Sequence, residues 1–316
     1  MGSNGVLCAG IVVADHVSSP ISHLPAAGEL VLADQLILTI GGCAANVAVD
    51  LVRLGVPATV VGCVGDDVFG RVVADMLRER HVDVSGLRVR PGQVTSQTLI
   101  VNVKGQDRRF VHTFGANADF GPDDIPADTD AKVLYLGGYF IMDRLRPEAL
   151  AKALARAQSR GIRTVLDVVT PGPADYLPRL EPVLPYVDVF LPNDHEAQLI
   201  TGLTDPLTQA ERFRAMGAGT AIITCGDRGS VLVTDRLRLR AGTYAMPFVD
   251  GTGGGDAFAA GYMAGMLRGW GPEECLRIGS AVGASCVRAI GTTAGVFTAA
   301  ECDAFLKANR LPVERV

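Results

Sequence analysis

Apolar and polar positions follow two rhythms along this chain, and the change of rhythm separates two kinds of element. Residues 6–13 form a continuous apolar run rich in β-branched side chains, the pattern of a strand covered on both faces. Residues 29–40, 95–103 and 108–114 alternate in part between apolar and polar, which predicts strands with one exposed face. Lys104-Gly105-Gln106-Asp107 is the expected turn between the last two. Among these pieces, 44–54 and 69–80 have helical spacing, and 57–62 returns as a strand.

From about residue 131 the rhythm becomes strand–helix, repeated through 133–136, 147–160, 164–168, 186–190, 195–200, 221–224, 255–267 and 273–290. Buried strands alternating with helices predict an α/β fold with a mainly parallel sheet flanked by helices. No repeat or low-complexity segment breaks the pattern. A length of 316 residues admits two domains, yet sheets of this kind are often built as one.

Composition narrows the function classes. Hydrophobic residues make up 48%, ample for a large core, and the net charge of −5 gives no footprint for nucleic acid. Only four lysines occur (Lys104, Lys132, Lys152, Lys307), with no basic run. No apolar stretch approaches the ~18 residues of a membrane span, and Met1–Gly5 carries no charged leader region, so a cytoplasmic location is expected. Seven scattered cysteines with no Cys-x-x-Cys pair suggest reduced, buried thiols. The five histidines show no metal spacing, and His195, the one nearest a motif, reads as a bystander.

The chemistry concentrates in Asp250-Gly251-Thr252-Gly253-Gly254-Gly255-Asp256, followed by the small apolar run Ala257-Phe258-Ala259-Ala260-Gly261. Consecutive glycines let several N–H groups converge on one point, and a helix expected to begin at Asp256 adds its positive dipole end. Such a segment holds an anion. A carboxylate beside it becomes useful if it removes a proton from a hydroxyl that attacks a phosphoryl group. Taken alone, the segment fits a glycine-rich surface turn equally well, with Asp256 as a helix cap.

The segment resembles the C-terminal signature of the ribokinase-like (PfkB) carbohydrate kinases, Asp-Thr-Thr-Gly-Ala-Gly-Asp, with Gly251 and Gly254 as departures. The N-terminal signature is matched by Gly41-Gly42-Cys43-Ala44-Ala45-Asn46-Val47-Ala48, then Leu54-Gly55, then Gly62-Cys63-Val64-Gly65-Asp66-Asp67-Val68-Phe69-Gly70. Asp15 in the apolar opening strand and Leu24-Pro25-Ala26-Ala27-Gly28-Glu29 stand at the family's spacing. The matched blocks run in order from residue 10 to beyond 290.

The resemblance implies a Rossmann-like three-layer αβα core with a small β-sheet lid over the sugar, the lid strands being about 29–40 and 95–114 inserted in one kinase domain, 1–316. It implies Asp256 as the base, with Gly253, Gly254 and Gly255 giving N–H groups to the transferring phosphoryl. Leu191-Pro192-Asn193-Asp194-His195-Glu196 resembles the family's Asn-x-x-Glu motif, in which Asn193 and Glu196 organise the water shell of Mg²⁺ and phosphate. Thr224, Gly226 and Gly229 match the turn covering the ATP phosphates and ribose, and Ser280–Ala284 falls beside the adenine by position. Asp15, Gly41, Gly42 and Asn46 fall on positions that hold sugar hydroxyls. Read without the family, Asn-x-x-Glu is a common helix start, Gly41-Gly42 a turn and Asn46 a cap. In some members Asp250, the backbone of Thr252 and carbonyls near Ala289 and Gly291 bind K⁺, which this sequence permits.

A Walker A loop is excluded, since no Gly-Lys dipeptide occurs, and Asp15-His16 follows the first strand where a dinucleotide fold has glycines. The reading is an ATP- and Mg²⁺-dependent kinase acting on a hydroxyl, expected to be primary, of a small sugar. Cys43 stands where ribose-specific members often carry Lys. A nucleoside acceptor stays open through Phe110, His112 and Phe114, and a phosphosugar through Arg108-Arg109. A non-catalytic sugar-binding protein is a further alternative, and a homodimer through the lid is common in relatives.

Overall fold

The computed structural model describes residues 5–106 and 108–316. Met1–Asn4 and Asp107, the last residue of the expected turn, lie outside the described residues. In chain order the strands are β1 (Val6–Gly10), β2 (Val13–Ser18), β3 (Leu36–Gly41), β4 (Ala58–Gly65), β5 (Asp83–Arg90), β6 (Gln97–Val101) and β7 (Arg109–Thr113). They continue as β8 (Val133–Gly137), β9 (Arg163–Leu166), β10 (Val189–Phe190), β11 (Thr220–Thr224), β12 (Ser230–Val233), β13 (Arg238–Ala241) and β14 (Val313–Arg315).

The large sheet has the order β14-β13-β12-β11-β10-β9-β8-β1-β4-β5. It is parallel from β5 to β11 and antiparallel beyond. Helices cover it in an αβα arrangement, as expected. The Cys43–Arg53 helix packs on β1 and β4, and also on the Gly254–Leu267 helix. That second helix is buried along most of its length beside the Pro272–Cys286 helix. Gly261 permits the close approach, because a Cβ there would lie 2.8 Å from the Ile278 carbonyl oxygen.

The smaller sheet, β3-β2-β6-β7, is the lid. The apolar run at 6–13, expected as one buried strand, is divided: β1 stays in the core and β2 carries the chain into the lid. Asp15 therefore stands on a lid strand. The strand expected at 29–40 forms only over Leu36–Gly41, because Pro25, Gly28 and Asp34 favour turns over a ladder. The lid is made by two excursions, between β1 and β4 and between β5 and β8.

Strand order reverses around β1, with β4 on one side and β8 on the other, and the C-terminal strand ends there open a crevice. Gly10 makes the turn at this point with φ +133°, and a Cβ on it would collide with the Gly137 carbonyl oxygen. Gly10→Ala should therefore cost more than about 2 kcal/mol in denaturant unfolding. Gly28→Ala, at φ +81° but in open space, should cost less than Gly10→Ala.

Candidate active site

The Gly254–Leu267 helix starts from Gly253, which has φ +82° and whose Cβ would collide with the Thr292 carbonyl oxygen. Gly253 is thus required by the fold itself. A Cβ on Gly255 would meet nothing within 4 Å, so space above the first turn is left for something outside the chain. The N–H groups of that turn have no partners within the helix, and the Gly254 N–H reaches the Gly251 carbonyl at 3.4 Å. Asp256 is the third helical residue and Gly253 is the N-cap, which removes the reading of Asp256 as a cap. Asn46 likewise lies inside its helix, whose N-cap is Gly42 at φ +87°.

Asn46 Nδ2 donates to Asp256 Oδ2 at 2.8 Å, and Asn46 Oδ1 lies 2.9 Å from the Thr292 hydroxyl. The amide NH₂ end thus faces the carboxylate and its oxygen faces the hydroxyl. Burial raises the Asp256 carboxyl above its ordinary range, while hydrogen bonds from Asn46 and Cys43 hold it partly down. Asp167, just past the end of β9, completes the cluster: Cys43 Sγ and one oxygen each of Asp167 and Asp256 lie within 4.8 Å of one another. Asp167 accepts from Tyr135 Oη at 3.0 Å and from the Val168 N–H at 2.8 Å. Burial, then the charges of Glu196 and Asp256, push its carboxyl well above the usual range. Burial also lifts Glu196 to about 7, with Asp256 contributing. Buried carboxylates gathered in this way suit a hard divalent cation such as Mg²⁺, with the thiol outside its preference.

The opposite wall belongs to the lid. Asp15, Thr98 and His112 lie in register across β2, β6 and β7, and the Thr98 hydroxyl is 3.0 Å from His112 Nδ1. Burial takes Asp15 to about 7, the Thr98 hydroxyl opposing the rise and the Asp256 charge adding to it. A Cβ on Gly41 would collide with the Asp15 carboxylate, so this glycine makes room for the acid. The cleft between the lid and the helix N-terminus measures about 610 Å³. Asp15, Gly42, Asn46, Gly253 and Asp256 line it, together with Phe110, His112, Phe114, Ile11 and Ile141.

Asn193 and Glu196 cap their helix reciprocally: Asn193 Oδ1 accepts from Glu196 N at 2.8 Å and Glu196 Oε2 accepts from Asn193 N at 3.0 Å. The common helix-start reading is correct, and Glu196 also faces the carboxylate cluster. Thr224 bridges to Asn193, which brings those two motifs side by side. Gly226 and Gly229 have φ +59° and +87° and shape the turn into β12. Ser280 is 6% exposed on the Pro272–Cys286 helix, on the side of the sheet that carries the glycine turn.

Asp250 is buried. Its Oδ1 accepts from Thr252 N at 3.0 Å and Thr252 Oγ1 at 2.6 Å, and its Oδ2 accepts from Gly291 N at 3.0 Å. The Thr252 carbonyl lies 3.2 Å from the Cys286 thiol. Arg108 Nη1 donates to Thr252 Oγ1 at 2.8 Å and stands 3.5 Å from Asp250 Oδ1. Of the expected K⁺ set of Asp250, the Thr252 backbone, Ala289 and Gly291, the Asp250 carboxylate is thus engaged by protein donors 3.5 Å from a guanidinium, and the Thr252 carbonyl by the Cys286 thiol. They do not fit a bound K⁺.

Asp167, Thr98, Thr292 and the role of Arg108 escape a reading of the motifs. Asp167 had a signal, a carboxylate ending the apolar strand Thr164-Val165-Leu166, whereas the others depend on packing between distant segments. The raised Asp15 carboxyl has a consequence for stability. The stabilisation from keeping it protonated is full below its ordinary 3.8 and is lost as pH rises through about 7. Asp15→Asn lacks that loss, so its unfolding free energy should gain on wild type between those limits by about 2–4 kcal/mol in ligand-free urea melts.

The chain is similar to known proteins over most of its length. The family described as pfkB family carbohydrate kinase matches residues 3–299. Cytidine kinase of Thermococcus kodakarensis is 31% identical over 245 residues, 76% of this chain and 84% of that protein. Ribokinase of Haemophilus influenzae is 25% identical over 304 residues, 94% and 97% respectively. The structure of Arabidopsis thaliana ribokinase complexed with ribose and ATP aligns with a TM-score of 0.81 at 22% identity, covering 97% of this chain and 99% of that one. A putative ribokinase II from E. coli in complex with ATP and Mg²⁺ gives 0.82 at 22%, covering 97% and 100%. Matched over nearly its whole length, the chain belongs to the pfkB family of carbohydrate kinases.

Proposed function

We propose that the whole chain works as one kinase domain, transferring the γ-phosphoryl group of ATP to a hydroxyl, expected to be primary, of a sugar ring held under the lid. The observation that carries this reading is the Asp256 carboxylate, held by Asn46 at 2.8 Å beside the open N-terminal turn of the Gly254–Leu267 helix. Asp256 takes the proton of the attacking hydroxyl. The N–H groups of Gly253, Gly254 and Gly255 face the charge that develops on the phosphoryl oxygens. Asp15 and the backbone at Gly41-Gly42 hold the other ring hydroxyls, while Asn46 orients the base. Asn193, Thr224, Gly226 and Gly229 cover the ATP phosphates and ribose, and Ser280 borders the adenine. Glu196 and Asp167 would hold Mg²⁺ through its waters, and the ion would supply charge neutralisation between phosphates and carboxylates.

A second reading, a nucleoside acceptor, is favoured by one feature. Phe110, His112 and Phe114 form an aromatic wall, with the His112 and Phe114 rings edge to face at 5.2 Å. Burial keeps His112 below its ordinary range and so neutral. Such a wall suits a flat base better than more hydroxyls. The similarity to a cytidine kinase points the same way. A phosphosugar lacks converging cations here: Arg108 is engaged at Asp250, and Arg109 bonds Gln106 on the face of β7 away from the cleft. That outward face carries exposed Leu36, Leu99 and Val111 and is where the homodimer would form. Among the described residues no helix is long and apolar enough to cross a membrane.

Asp256→Asn should keep the fold and ATP binding yet lower kcat by about 10²–10⁴-fold in a coupled ADP-release assay; near-normal kcat would remove Asp256 as the base. Gly255→Ala should melt like wild type, since its Cβ meets no protein atom, and still lose about 10-fold or more in kcat. In a screen of pentoses, hexoses, keto-deoxy acids, nucleosides and sugar phosphates, ADP release should follow a sugar or nucleoside. Activity confined to sugar phosphates would contradict the reading.

A further inference from the structure

We propose that Arg108 is the built-in cation of the phosphoryl-binding loop: a guanidinium carried by the lid, seated on Asp250 and Thr252, that replaces a dissolved monovalent ion and couples lid position to the glycine turn. The inference rests on the reading of that turn as the phosphoryl site.

A buried carboxylate next to a phosphoryl-binding turn creates an electrostatic conflict. Asp250 is 5% exposed and four residues before the first helical position, Gly254, so its charge would weaken the pull on an incoming anion. Arg108 answers that charge directly. Nη1 donates to Thr252 Oγ1 at 2.8 Å, the same hydroxyl donates to Asp250 Oδ1 at 2.6 Å, and Nη1 stands 3.5 Å from that oxygen. The chain of contacts ends one residue before Gly253, the helix cap. A second cation on the same oxygens would meet the guanidinium as a like charge.

The loop is shaped for this occupant. Gly251, a departure from the family signature, would place a Cβ 3.4 Å from Arg108 Nη1 and 3.5 Å from the Phe248 ring. A β-branched hydroxyl residue there would set its further atoms between the guanidinium and that ring. The Phe110 ring supports the guanidinium from the lid, its centroid 5.8 Å from Cζ. Phe110 and His112 on β7 also line the acceptor cleft. Arg108 precedes that strand directly, so a shift of the lid over an acceptor moves the guanidinium relative to Thr252. Arg108 acts through the loop, as a positioning residue.

The test compares wild type, Arg108→Ala and Arg108→Lys in matched KCl, NaCl and tetramethylammonium chloride, with the acceptor found by the screen. Wild-type kcat should agree within about 2-fold in all three salts. Arg108→Ala should lose about 10–10²-fold in kcat, with a smaller change in the KM for ATP, and regain activity with K⁺ or millimolar guanidinium. Arg108→Lys should keep most of the rate. Melting temperatures give a readout free of turnover, since K⁺ should stabilise Arg108→Ala over tetramethylammonium and leave wild type unmoved. K⁺ activation of wild type, or an Arg108→Ala enzyme with full kcat or a loss that no cation restores, would overturn the proposal. If wild type phosphorylates nothing while K⁺ still stabilises only Arg108→Ala, the phosphoryl-transfer reading fails and the cation role at Asp250 stands.

Discussion

The hydrogen bond from Asn46 Nδ2 to Asp256 Oδ2, at 2.8 Å across 210 residues of sequence, joins the two structures from which the site is made. Asn46 rides on the helix that descends from lid strand β3 into the core, and Asp256 on the helix that opens from the glycine turn. Those helices pack side by side, and Thr292 steadies the amide from the loop that follows the Pro272–Cys286 helix. The amide holds the Asp256 carboxylate and offsets part of the rise that burial forces on it.

Around that bond the site gathers more negative charge than an unliganded protein holds comfortably. Asp15 and Glu196 rise to about 7, and Asp167 rises well above the usual range. Asp50, one turn beyond Asn46, is fully buried with neither carboxylate oxygen hydrogen-bonded, and burial pushes its carboxyl well above the usual range. In the proposed reading, substrate and a divalent cation would supply charge that compensates these acids. At Asp250 the compensating charge is in place, since the Arg108 guanidinium stands 3.5 Å from its carboxylate.

Much of the fold was legible because parallel strands and amphipathic helices write their periods into the chain; the helix expected at 147–160 forms over Pro147–Ser159. The edges were harder to read. β5, β13 and β14 are partly exposed and carry weak apolar signals, and β5 and β14 lie at the sheet edges, where one side of a strand need not be buried. The division of the first apolar run at Gly10 depends on a backbone approach to Gly137 that no local pattern reports. In the site, glycines and acids at fixed spacing marked Asp256 and Asn193–Glu196. The partners of those residues were hidden because a hydrogen bond between positions 46 and 256 leaves no trace in either neighbourhood.

The central claim is that Asn46 holds Asp256 as a base by a hydrogen bond that lowers its carboxyl. The most direct measurement is the pH dependence of kcat at saturating Mg·ATP and acceptor for wild type and Asn46→Ala. Losing the donor should move the acidic limb to higher pH by about one unit, with a reduced plateau and an intact melting transition. An acidic limb that stays in place or moves to lower pH in the folded variant would contradict the account.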